Sequence, residues 1–146
     1  MFKFRLDPLI KIRKNTLQEC QAELAKAYDA RSILEEHLQR IEKELEAETT
    51  AARNLMQPGQ TVKIEQLLGF RRQEMFLRAN QNDLMQKMKG IDEVIELRRA
   101  AVIAANKELK SIETLREKRY EKYLEEEKKE ETKAMDEIAG NRRIIA

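Results

Sequence analysis

The sequence contains no tryptophan, one cysteine, one histidine, two prolines and four glycines, and its only aromatics are four Phe and three Tyr. A compact globular core would be thin with so little aromatic bulk, because these side chains supply much of the buried area in such cores. Cys20 has no second cysteine to pair with, which fits a reducing compartment, and its place on an apolar stripe makes it a small buried hydrophobe. His37 is the single histidine; it excludes histidine-rich metal sites and falls at a solvated flanking position. No stretch approaches the ~20 apolar residues of a membrane span, and Met1 to Pro8 show no apolar run of the signal-peptide kind. A cytoplasmic protein that meets membranes only through partners is expected. There is no Gly-rich phosphate loop, and the carboxylates sit among Lys and Arg with nothing apolar to raise the pKa of one. The expectation is a non-enzyme with no catalytic residue, no cofactor and no metal site.

What is present is helical. Ala, Glu, Lys, Leu and Arg make up more than half of the chain, the composition of coiled coils and long helices. Charged residues are 38% of the total but the net charge is only +2, so neither nucleic acid nor an acidic membrane is drawn by bulk charge. Breakers are sparse enough that each one marks a boundary. Asp7 reads as an N-cap with Pro8 at the first helical position. Pro58-Gly59 is the one clear turn, and Gly140-Asn141 supplies a C-terminal stop. Gly69 and Gly90 each cost a helix about 1 kcal/mol relative to Ala, which a long packed seam absorbs. These signals predict a single coiled-coil domain over 1–146, with helix 1 at about 8–56, a turn at about 57–61 and helix 2 at about 62–139.

Both halves carry a heptad repeat. In helix 1 the stripe runs from Ile10 through Arg13, Leu17, Cys20, Leu24 and Ala27 to Leu55; in helix 2 it runs from Leu67 through Phe70 and Leu77 to Ile112, Arg116 and Arg119. If the chain reverses at Pro58-Gly59, facing layers must keep a constant total of residue numbers, and a total of 122 pairs Leu55 with Leu67, Leu45 with Leu77, Leu38 with Leu84, Ala27 with Ile95, Cys20 with Val102 and Ile10 with Ile112. The predicted fold is all-α, a long antiparallel two-helix coiled-coil hairpin with an overhanging C-terminal helix, monomeric when free; a dimer that pairs the same seams between chains is the alternative. Glu48 faces Glu74 and Ile41 faces Gln81, so the seam should loosen there. From Arg116 onward helix 2 has no partner on helix 1 and would stand alone on Glu to Lys pairs worth only ~0.2–0.5 kcal/mol each.

Apolar residues off the seam are candidates for binding. Near the turn, Leu68 and Met75 share one face with Phe76 beside them and Arg71 and Arg72 between. At the open end Leu9, Ile12, Leu115, Tyr120 and Leu124 widen the apolar surface.

The stretch Phe4-Arg5-Leu6-Asp7-Pro8-Leu9-Ile10-Lys11-Ile12-Arg13, followed by Glu23-Leu24-Ala25-Lys26-Ala27, resembles the FliJ family of bacterial flagellar type III export proteins, and Lys133-Ala134-Met135-Asp136-Glu137-Ile138-Ala139 is similar to that family's acidic signature near its end. The resemblance implies a non-catalytic central stalk of the hexameric flagellar export ATPase that also contacts the cytoplasmic domain of the export gate and binds export chaperones. On matching positions it implies a ring-facing set of Leu6, Leu9, Arg13, Asp136, Glu137 and Ala139. It supplies no motif for the gate; exposure off the seam nominates Leu68, Arg72, Met75 and Phe76. The basic Arg142-Arg143-Ile144-Ile145 tail departs from some relatives. Two other readings stay open: a structural coiled-coil spacer or scaffold without a transport role, and a nucleic-acid-binding hairpin, which would need a basic stripe and stacking aromatics that balanced charge does not favour.

Overall fold

The computed structural model describes residues 1–59 and 61–145. Two helices account for nearly all of them, α1 over Asp7–Leu55 and α2 over Ile64–Ile145. They pack against each other with no strand among the described residues, so the chain is an all-α helical hairpin. Gln60, within the expected turn, and Ala146 lie outside the described residues.

The ends of the helices differ from the sequence reading for physical reasons. The first carbonyl to enter the α1 ladder is that of Leu6, which accepts from Leu9 at 2.9 Å and from Ile10 at 3.1 Å. Asp7 is therefore inside the helix rather than capping it, and its carboxylate accepts from Arg116 Nε at 2.9 Å. The reversal between the helices uses Gly59, whose φ of 90° is the left-handed conformation that side chains resist. Gly140 takes no such φ, so the expected stop after Ala139 is corrected: without a left-handed residue to end it, α2 continues to Ile145. A glycine permits a C-cap and does not compel one.

The chain forms two compact units, Gln21–Ala100 and a second made of Met1–Cys20 with the stretch from Ala101 onward. In the first, the heptad positions from Leu24 to Leu55 on α1 and from Leu67 to Arg98 on α2 are all buried or half-buried, with Ala27, Leu77 and Ile95 most enclosed. Two arginines on the stripe keep their stems in the seam and carry their charges out to the edge. Arg31 donates from Nε to Asp92 at 2.7 Å and from NH1 to Glu35 at 2.6 Å. The hydrogen bond to Asp92 is the main reason that its guanidinium pKa lies above the ordinary value, with the charges of Asp92 and Glu35 adding to it. Arg98 reaches the backbone carbonyl of Glu23 at 2.6 Å and its carboxylate at 3.5 Å. Glu74 turns away from Glu48 toward Arg78 at 3.1 Å and Arg71 at 3.9 Å, and these side chains line an open groove where a weak layer is expected.

In the second unit Ala105 and Leu109 are buried, Cys20 is half-buried rather than buried, and Arg13 NH1 meets Glu108 at 2.8 Å while its Nε is shielded without a partner. The cross-helix pairs 31 with 92, 23 with 98, 13 with 108 and 7 with 116 have residue numbers that total 121 or 123, one either side of the 122 inferred for the seam layers. Solvent reaches all of these ion pairs, so each adds little net stability. Their contribution is to penalise a slipped register, which would leave each arginine facing the wrong side chain.

Replacing Leu77, which is 3% exposed, by Ala should cost about 2–5 kcal/mol in urea unfolding. Leu97→Ala, at a position 72% exposed, should stay within about 0.5 kcal/mol. Equal losses at the two positions would contradict the seam.

Candidate protein-binding surfaces

Residues 1–6 precede α1 and are not helical. Phe2 and Phe4 both reach α2. Phe2 packs edge-on against Tyr120 with ring centres 5.2 Å apart and tilted against Tyr123 at 5.4 Å. Arg116 lies 5.8 Å over the Phe2 ring and Arg119 5.8 Å over the Phe4 ring. Phe4 is 5% exposed, as enclosed as the best seam residues. This corrects the expectation of a helix without support from Arg116: Arg116 and Arg119 are exposed and offer no apolar knob, but the two phenylalanines extend coverage of α2 to Tyr123. Sequence reasoning passed over them because it paired helix with helix. Carrying the total of 122 back past Asp7 would have matched Phe2 with Tyr120.

The hydroxyl of Tyr123 donates to Glu127 at 2.8 Å. That bond raises the tyrosine pKa above its ordinary value, burial and the charges of Glu127, Tyr120 and Glu130 following in that order. From Leu124 to Ala139 every residue of α2 is exposed.

The ring-facing set nominated from sequence is not brought together. Leu6, Leu9 and Arg13 are half-buried beside α2 near Glu108 to Arg116. Asp136, Glu137 and Ala139 are exposed, roughly 30 Å further along α2 at about 1.5 Å per residue. They form two surfaces, one packed into the hairpin and one on bare helix. Leu6 and Leu9 have structural work in that packing, and the bare-helix residues have none.

The second nominated set does converge. Leu68, Arg72, Met75 and Phe76 lie on one outward face of α2 near the turn, with Leu68 50%, Met75 65% and Phe76 61% exposed. Arg72 is exposed and makes no ion pair among the described residues, whereas Arg71 and Arg78 are occupied by Glu74. Met56 and Ile64 add exposed apolar area nearby. A face of this kind, three large apolar side chains around a free guanidinium, suits an apolar partner surface carrying an acidic group. Among the described residues no three His, Cys, Asp or Glu side chains gather as a metal site, and no helix is long and apolar enough to cross a membrane.

Fold and surface together define a two-helix coiled-coil protein with bare helical faces. A profile of the family described as Flagellar FliJ protein matches residues 2–144, and the chain belongs to that family. It is a flagellar export-related protein, and membership of a non-catalytic family agrees with the expectation of a non-enzyme. No curated protein and no solved structure matches the chain.

Glu127→Gln should lower the Tyr123 pKa toward the ordinary tyrosine value of about 10, as read by NMR of isotope-labelled tyrosine. Because the folded value is the raised one, the stabilisation linked to this bond is complete below the unfolded pKa and is lost as pH rises through the folded pKa. An unchanged titration in the variant would show that the bond does not hold the proton.

Proposed function

We propose that this protein is the central stalk of the hexameric flagellar export ATPase, cytoplasmic and peripheral to the membrane through the export apparatus, linking the ring to the cytoplasmic domain of the export gate and to export chaperones. The observation that carries the reading is the exposed run of α2 from Leu124 to Ala139 in a family member of flagellar export. A helix with solvent on every side can be received by a surrounding ring, which a helix already paired along one face cannot. Asp136, Glu137 and Ala139 make ring contact on this run, and Leu6, Leu9 and Arg13 set the packed base from which it extends. The turn-proximal face of Leu68, Arg72, Met75 and Phe76 takes the gate, with Phe76 as the apolar anchor and Arg72 as the charge that orients it.

The test is a pull-down of the full chain against the export ATPase and the gate's cytoplasmic domain, alongside Phe76→Ala and a chain shortened before Ala134. Wild type should capture both. Phe76→Ala should lose the gate by roughly tenfold or more in affinity while keeping the ring, and the shortened chain should do the opposite. Wild type that binds neither partner would return the protein to the class of structural spacer.

A further inference from the structure

We propose that residues 2–4 form a releasable aromatic clasp that holds α2 helical from Arg116 to Tyr123, and whose opening sets how much of α2 stands without support. The clasp is held by side chains. Among the described residues no backbone hydrogen bond joins residues 1–6 to α2, and the only one made by Phe4 is its carbonyl accepting from Asp7 at 3.2 Å. What fastens the segment is Phe2 against Tyr120 and Tyr123, Arg116 over Phe2, and Arg119 over Phe4. α2 depends on these contacts, because its seam positions at this level are the exposed Arg116 and Arg119, and Glu117, Lys118, Glu121 and Lys122 are solvated. A highly charged helical stretch without an apolar seam is marginal in water.

Tyr123 joins the clasp to the bare run of α2. Its ring meets Phe2 and its hydroxyl meets Glu127, one turn further on. Losing Phe2 from that ring frees the tyrosine and withdraws the last tertiary contact before Leu124. The packed seam ends at Ile112, so the clasp has a different set of contacts and opens as its own unit, at a lower free energy than the seam.

Amide hydrogen exchange on the full chain tests it. In a Phe2→Ala/Phe4→Ala double variant, protection over residues 117–127 should fall by at least about tenfold, the scale expected when a buried Phe is truncated, while protection between Leu84 and Leu109 holds. Phe2→Trp should keep wild-type protection. Tyr120→Ala should reproduce part of the loss, and combining it with Phe2→Ala should give less than the product of the two separate effects, because the two rings share a contact. Unchanged protection over 117–127, an equal fall between Leu84 and Leu109, or fully multiplicative effects of Phe2→Ala and Tyr120→Ala would each overturn the clasp.

Discussion

The antiparallel register of two heptad stripes is the constraint on which everything else in this protein depends. A two-helix seam encloses its residues from one side only, so even the best-covered side chains retain a few per cent exposure, and none among the described residues is sealed. Stability is accordingly spread over many half-covered layers rather than concentrated in a core. Such a structure is exposed to slippage by a heptad, because one apolar layer resembles the next. The seam arginines answer that hazard. Arg31, Arg98 and Arg13 each find a carboxylate on the other helix where the layer total stays at 122. Their stems fill the seam and their charges fix the alignment, at little net gain in stability.

Much of this was legible in the sequence because periodicity and pairing are arithmetic properties of it. Every stripe position from Ile10 to Leu55 and from Leu67 to Ile112 is shielded, Glu48 and Glu74 among them. What escaped depended on local choices that the sequence leaves open. Asp7 had two uses for its carboxylate, a cap or an ion pair, and Arg116 took it. Gly140 could have adopted a left-handed φ, and the helix ran through it instead. Phe2 and Phe4 escaped because they precede α1 and only helix was paired with helix, although the total of 122 carried past Asp7 sets Phe2 against Tyr120.

The candidate surfaces were legible in unequal measure. Phe76, Met75 and Leu68 stand off the stripe at helical spacing, so their common exposure comes directly from the repeat. The ring-facing set came from two short terminal motifs, and motif likeness carries no distance; Leu6 and Leu9 turn out to be packed at the base of a long exposed run that bears Asp136 and Glu137. The division suggests how the fold serves an export protein. The hairpin fixes the turn-proximal face, while α2 from Leu124 to Ala139 is exposed.

Since both surfaces are set by the register, the most direct test is to measure the register. With Cys20 replaced by Ser, cysteines at Leu38 and Leu84 should form a disulfide rapidly within one chain at dilute protein, and cysteines at Leu38 and Ile91, one heptad out, should not. Rapid closure of the second pair, or crosslinks that join only separate chains, would contradict the hairpin and every placement that rests on it.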